Sequence, residues 1–166
     1  MNNFLLRGLW ASVMATSSMT LAMFQRFMRL PAKEQKALPP AQLTEELSRK
    51  TGISDNISRE TQSQATLISH YGYGATCGVL YAMLASHIPG PALLKGSLFG
   101  IGVWAASYYG LIPGLGLKPS ADRLSKERNA MMFAAHIVWG ASLGYSEELL
   151  RKRGLQMLSA KDRALS

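Results

Sequence analysis

The stretch SHYGYGATCG, residues 69–78, contains a histidine followed at intervals of four by two glycines, and AHIVWGASLG, residues 135–144, repeats that spacing. Residues four apart lie on one face of a helix, and small residues on such a face let two helix backbones approach closely. GSLFG, which begins at Gly96, adds a third glycine pair with the same spacing. We therefore predict helix-packing roles for Gly74, Gly78, Gly96, Gly100, Gly140 and Gly144.

These stretches lie in long segments that carry almost no charge. Four such blocks cover residues 4–24, 65–88, 91–112 and 129–146, and the only charged side chains in them are Arg7 and Lys95. A helix crosses a bilayer core with about 20 mostly apolar residues. A soluble four-helix bundle is the alternative, but blocks two to four lack the charged face that such helices present to water. The sequence therefore predicts an all-α integral membrane protein with four transmembrane helices.

The spacing of basic residues and prolines suggests an internal duplication. Pro31 follows Arg7 by 24 residues, and Pro119 follows Lys95 by the same interval. We expect two parallel two-helix repeats, about 4–88 and 92–150, because an even number of spans preserves chain direction.

A polar connection, residues 25–64, interrupts the first repeat. Within it, the segment PPAQLTEELSRKTG has a proline start, leucines four apart and a terminal glycine, which are typical of a short amphipathic helix. The organisation expected is a single four-span membrane domain, residues 1–150, followed by a basic C-terminal tail, residues 151–166.

The net charge of +8 would suggest nucleic acid as the partner of a soluble protein. In a protein with membrane spans, flanking Lys and Arg set the topology instead. We therefore expect a lipid bilayer as partner and no nucleic acid. The basic residues favour a cytoplasmic location for connections 25–64 and 113–128 of a multi-pass protein.

Two histidines and one glutamate are the candidate functional side chains. His70 and His136 should enter their spans at similar depth, and ionisable residues within spans are generally functional. Glu148 lies on roughly the same face as His136. We predict a proton or ligand site formed by these three residues, with neutral imidazole packing as the alternative. No catalytic residues, metal or cofactor are predicted, although haem or metal ligation by His70 and His136 is left open.

Four segments together resemble one known family: ALPPAQLTEEL, HYGYGATCGVLYA, KGSLFGIGVWAASYYGLIPGLGL and RNAMMFAAHIVWGASLG. They are similar to the YagU-like group of small bacterial inner-membrane proteins of uncharacterised function. The resemblance implies several helical spans in the bacterial inner (plasma) membrane and a loose link with acid tolerance. It offers no catalytic residues to transfer to this chain.

Two functions follow as hypotheses. The first is a non-enzymatic scaffold or accessory subunit that packs through its Gly-rich helix faces, as a homo-oligomer or within a larger membrane complex. The alternative is a proton-handling or small-solute transport protein, linked to acid or stress tolerance, that uses the intramembrane histidines.

Overall fold

A computed structural model describes residues 3–32, 35, 39–52, 58–117 and 125–165, with the side chains of Pro39 and of residues 155–165 left out. All regular structure in these ranges is helical, which confirms the all-α prediction. The helices are α1 (Phe4–Phe27), α2 (Pro39–Lys50), α3 (Arg59–Leu84), α4 (Ala92–Ala105), a π-helical turn (Ala106–Leu111), α5 (Ile112–Gly114) and α6 (Lys126–Leu165). Helix α2 confirms the short helix expected in the first connection. The segment expected to be a tail continues α6 to Leu165.

Local side chains explain where several helices begin and end. The Asn3 side chain accepts a hydrogen bond from the Leu5 amide at 3.1 Å at the start of α1. Ser58 accepts one from the Thr61 amide at 3.1 Å at the start of α3. Both contacts satisfy amides that have no partner within the helix. Gly52, with φ +72°, follows α2 in the left-handed conformation that glycine adopts without strain.

The four long helices pack as two antiparallel pairs that share a core. Helix α1 packs on α3, α4 packs on α6, and α1 also packs on α6. Helix α2 lies against α3. The shared core includes Met132 and Leu143, whose side chains are fully buried. Each helix that carries a His-x-x-x-Gly-x-x-x-Gly stretch therefore packs on the long helix that precedes it in the chain.

The predicted packing glycines lie at these helix contacts. A Cβ added to Gly96 would clash with the Gly140 carbonyl oxygen and lie 2.9 Å from the Gly144 Cα. A Cβ at Gly100 would clash with the His136 carbonyl oxygen. In the other pair, a Cβ at Gly78 would lie 2.7 Å from the Gly8 carbonyl oxygen, and one at Gly74 would meet the Thr16 hydroxyl at 2.5 Å. The backbones of α4 and α6 thus touch directly, without a side chain between them.

The structure corrects the prediction of a membrane fold. Among the residues it describes, no helix combines the length and the apolar character needed to cross a bilayer. The prediction of four transmembrane helices is therefore wrong, and so is the multi-pass inner-membrane location with connections 25–64 and 113–128 on the cytoplasmic side.

The physical reason is that an uncharged segment is not necessarily an apolar one. Helix α1 carries a run of hydroxyl side chains, including Ser17, Ser18 and Thr20, which hydrogen-bond to carbonyls of their own helix. Helix α4 spans only 14 residues before the π-helical turn begins. The polar side chains lower the mean hydropathy of segments that contain almost no charge.

Candidate functional site

A cavity of about 250 Å³ lies between the helices, on the side of the bundle that α2 covers. Its walls come from α1, α2, α3, α4, the π-helical turn, α5 and α6, and Leu115 and Leu117 complete it. None of the described lining residues is Asp, Glu, Lys or Arg. Apolar side chains form most of the wall, as they do in small-molecule sites generally.

Five polar side chains on three elements line this wall, and we call them the His–Tyr cluster. Its members are His70 and Tyr73 of α3, Ser107 and Tyr108 of the π-helical turn, and His136 of α6. The hydroxyls of Tyr73 and Ser107 lie 2.8 Å apart. The rings of Tyr108 and His136 meet edge to face, with centroids 6.0 Å apart.

Local helix geometry positions the members of the cluster. His136 Nδ1 donates a hydrogen bond to the Met132 carbonyl, one turn earlier in α6, at 2.8 Å, and this contact orients the imidazole ring. The π-helical turn contains more residues per turn than an α-helix, and such turns are frequent at functional sites. It brings the buried side chains of Ser107 and Tyr108 into the cavity wall.

Burial keeps the cluster uncharged near neutral pH. Burial, with a smaller contribution from His70, lowers the pKa of His136 to about 4 against the opposing effect of the Met132 hydrogen bond. Burial also lowers the pKa of His70. Burial raises the pKa of Tyr108 and that of the Cys77 thiol, which also lines the cavity. The histidines are thus free bases, and the phenol and the thiol hold their protons.

The structure brings together two of the three predicted site residues. His70 and His136 line the same cavity, whereas Glu148 does not line it. Glu148 lies twelve residues after His136, which is about 18 Å along an α-helix. Its carboxylate pairs with Lys152 at 2.8 Å and with Arg151 at 3.8 Å, and the hydrogen bond from Lys152 is the main cause of its lowered pKa.

A buried ion pair, which the sequence analysis did not identify, involves the residue before Glu148. Arg7 Nε of α1 lies 2.9 Å from Glu147 Oε1 of α6, and only 13% and 4% of the two side chains are exposed. This pair joins the first long helix to the last one. It lies outside the cavity wall.

The other cluster residues were missed for different reasons. Tyr73 lies three residues after His70 on a helix, so the i,i+3 spacing could have revealed it. Ser107 and Tyr108 are placed by the π-helical turn, for which the sequence has no recognised signal. Outside the cluster, Leu43 also lines the cavity, and it belongs to the amphipathic helix that the sequence predicted.

Lys50 connects the end of α2 to the segment that follows α5. Lys50 Nζ donates hydrogen bonds to the carbonyls of Leu115, at 3.1 Å, and Gly116, at 2.8 Å. On the other side, Ser48 donates to the Gln62 side chain of α3 at 3.2 Å. These contacts fix the C-terminal end of α2, the helix that covers the cavity.

The described part of the chain contains no group of three or more His, Cys, Asp or Glu side chains suited to hold a metal ion. Within the same ranges, His70 Nε2 is buried without a hydrogen-bond partner. The cluster therefore offers two imidazoles in a neutral, mostly apolar cavity.

The lowered pKa of His136 predicts a loss of stability in acid. Above pH 6.5, the pKa of an ordinary histidine, the residue is neutral in both states and contributes no penalty. As the pH falls from about 6.5 to about 4, the unfolded chain binds a proton that the folded chain does not. The free energy of unfolding should then fall by roughly 3 kcal/mol from this residue. Urea unfolding at a series of pH values measures the loss.

The matched controls are His136→Gln and His87→Gln, the second at an exposed position. His136→Gln should reduce the pH dependence between pH 6.5 and 4 and leave the part that comes from His70, and His87→Gln should leave it as in the wild type. Equal slopes in the wild type and His136→Gln would show that His136 titrates normally in the folded protein.

Comparison with known proteins identifies a family but no function. The profile of one family, described as proteins of unknown function (DUF1440), matches residues 21–145, which include the C-terminal end of α1, all of α2 to α5 and the part of α6 that carries His136. No curated protein and no solved structure gives a significant match. Since the match covers well over half of the sequence and both histidines of the cavity, the chain belongs to the DUF1440 family.

Proposed function

We propose that this protein is a non-enzymatic binding protein for a small, mostly apolar molecule, which it holds in the cavity beneath α2. The observation that carries the proposal is the cavity itself, about 250 Å³ within a small helical bundle. A cavity of 150 Å³ in a protein core binds benzene. On that scale this one has room for about ten non-hydrogen atoms.

The chemistry of the wall supports an uncharged ligand. No described lining residue carries a fixed charge, and burial keeps both histidines neutral. A charged molecule would lose its hydration without gaining a counter-ion. An apolar molecule gains the burial of its surface, at roughly 25 cal/mol per Å².

The non-enzymatic part of the proposal rests on the side chains in the wall. The Cys77 thiol is buried, and its raised pKa keeps it protonated, unlike an activated nucleophile. No described carboxylate reaches the cavity to orient either histidine as a general base. The absence of a cofactor, expected from the sequence, stays a prediction.

The accessory-subunit hypothesis needs a surface other than the glycine faces. Those glycines pack within the chain, Gly96 and Gly100 against α6 and Gly78 against α1. Assembly as a homo-oligomer or within a larger complex stays a prediction. The YagU-like assignment and the bacterial origin also stay predictions.

A second candidate, a response to acid, is favoured by one observation. His70 and His136 line the same cavity, and burial lowers the pKa of each. Protonation of either imidazole would place a charge in the cavity and favour its opening. The pH series on His136→Gln tests this candidate without any ligand. The transport hypothesis depended on membrane spans and is not carried further.

The binding proposal predicts stabilisation by an apolar probe of the right size. We expect 4-propyltoluene, at 100 times its dissociation constant, to stabilise the wild type by about 2.7 kcal/mol. For a chain of this length, that raises the melting temperature by about 5 to 10 °C. Differential scanning calorimetry over a series of probe concentrations measures the shift.

Two variants separate the cavity from the rest of the surface. Val103→Phe fills the cavity, because Val103 lines it, and should abolish the shift. Ile101→Phe adds a large side chain to the same helix outside the lining and should leave the shift unchanged. The proposal is overturned if the probe leaves the wild-type melting temperature unchanged, or if both variants respond as the wild type does.

A further inference from the structure

The hydrogen bond to Met132 determines which nitrogen of His136 can bind a ligand. A carbonyl oxygen only accepts, so the 2.8 Å contact requires that Nδ1 carry the hydrogen. A neutral imidazole has one N–H, and Nε2 is then an acceptor with a free lone pair. The side chain is 7% exposed and lines the cavity. No described residue donates a hydrogen bond to this Nε2.

A second imidazole nitrogen, on another residue that lines the cavity, lacks a partner. His70 Nε2 is buried, and among the described residues none hydrogen-bonds to it. Buried polar atoms are almost always paired, and one left unpaired destabilises the folded protein. The hydroxyls of Tyr73 and Ser107 hydrogen-bond to each other, and no described hydroxyl of the cluster, that of Tyr108 included, bonds to His70 Nε2.

One chemical group satisfies both nitrogens. A hydroxyl donates one hydrogen bond and accepts others. It can therefore donate to His136 Nε2 and accept from His70 when Nε2 of that residue carries the hydrogen, as it does in the commoner tautomer. Both side chains line the same cavity.

We propose that the ligand is a neutral aromatic or aliphatic alcohol whose hydroxyl group donates a hydrogen bond to His136 Nε2 beside His70. This inference rests on the proposed function. The remaining part of the ligand contacts the apolar wall, which includes Met19, Leu43 and Leu111. A hydrocarbon of the same size leaves both nitrogens unpaired. A carboxylate brings a charge that none of the described lining residues neutralises.

The test compares two ligands of the same shape, 4-propylphenol and 4-propyltoluene, by isothermal titration calorimetry. Their intrinsic difference in hydration cancels when the ratio of their affinities is compared between proteins. We expect the preference for the phenol to fall about tenfold from the wild type to His136→Phe, which removes the acceptor. His136→Gln, which retains an acceptor oxygen, should restore part of the preference.

A measurement on the wild type keeps the proposal testable if His136→Phe does not fold. With ¹⁵N-labelled histidine, the resonance of the acceptor Nε2 of His136 should move when 4-propylphenol binds. It should stay in place when 4-propyltoluene binds.

The outcomes separate this inference from the cavity itself. If neither ligand binds the wild type, the proposed function fails. If both bind but the affinity ratio is the same in His136→Phe, or the Nε2 resonance does not respond to the phenol, the cavity binds ligands and hydroxyl recognition is wrong. Tighter binding of 4-propylbenzoate than of 4-propylphenol would also overturn it.

Discussion

Replacing Gly96 with alanine should destabilise the protein by roughly 3 kcal/mol or more, although the change adds a single methyl group. The added Cβ would clash with the carbonyl oxygen of Gly140 and lie 2.9 Å from the Gly144 Cα and amide nitrogen. Overpacking usually costs about 1 to 3 kcal/mol, because side chains move to make room. Here the atoms in contact are backbone atoms of α6, so α4 and α6 must separate. Urea unfolding followed by circular dichroism measures the change.

Gly102 provides the matched control on the same helix. A Cβ added there meets nothing within 4 Å, and alanine favours a helix over glycine by about 1 kcal/mol. Gly102→Ala should therefore stabilise the protein, so the two alanine variants should differ by about 4 kcal/mol. Similar unfolding midpoints for both variants would show that α4 and α6 do not pack through these glycines.

The second large effect is expected at the ion pair between α1 and α6. Glu147→Ala removes a buried carboxylate and leaves the Arg7 guanidinium, 13% exposed, without the partner that it contacts at 2.9 Å. Breaking a buried pair in this way typically costs about 3 to 5 kcal/mol. Chemical unfolding of the variant at pH 7 measures the loss.

Adjacent Glu148 makes this experiment well controlled. Its salt bridges to Arg151 and Lys152 lie at the surface, and exposed pairs contribute little. Glu148→Ala should therefore unfold close to the wild type. The double variant Arg7→Met, Glu147→Leu should recover most of the stability lost in Glu147→Ala, because it removes both charges together. If Glu147→Ala unfolds like Glu148→Ala, the ion pair does not contribute to stability in solution.

The sequence predicted the helices well because their signals are local. The repeated His-Gly-Gly spacing and the proline and glycine residues that bound α2 each depend on neighbouring residues. The same spacing placed His70 and His136 on the helix faces that carry their glycines. The structure brings both of them to one cavity.

The membrane prediction failed because it relied on charge more than on hydropathy. Ser, Thr, Gly and Tyr leave a segment uncharged, yet they do not make it apolar enough to cross a bilayer. In this bundle the small residues serve contacts within one chain, such as Thr16 against Gly74 and Gly96 against Gly140.

The cavity could not be predicted, because it depends on contacts between distant parts of the chain. The π-helical turn changes which side chains of SYYG reach the interior. Glu147, rather than Glu148, became the buried carboxylate because α1 brings Arg7 beside it. Neither arrangement has a signal in the local sequence.

The position of Trp139 makes the cavity observable through tryptophan fluorescence. Trp139 is only 3% exposed, and it lines the cavity. Its indole ring stacks on Phe99, with centroids 6.2 Å apart, and donates a hydrogen bond to the Thr16 hydroxyl at 3.2 Å. Trp10, in contrast, is 64% exposed, so a water-soluble quencher reaches its emission first. After that quenching, the remaining blue-shifted fluorescence comes from indoles inside the bundle, and occupancy of the cavity can be followed in the unlabelled protein.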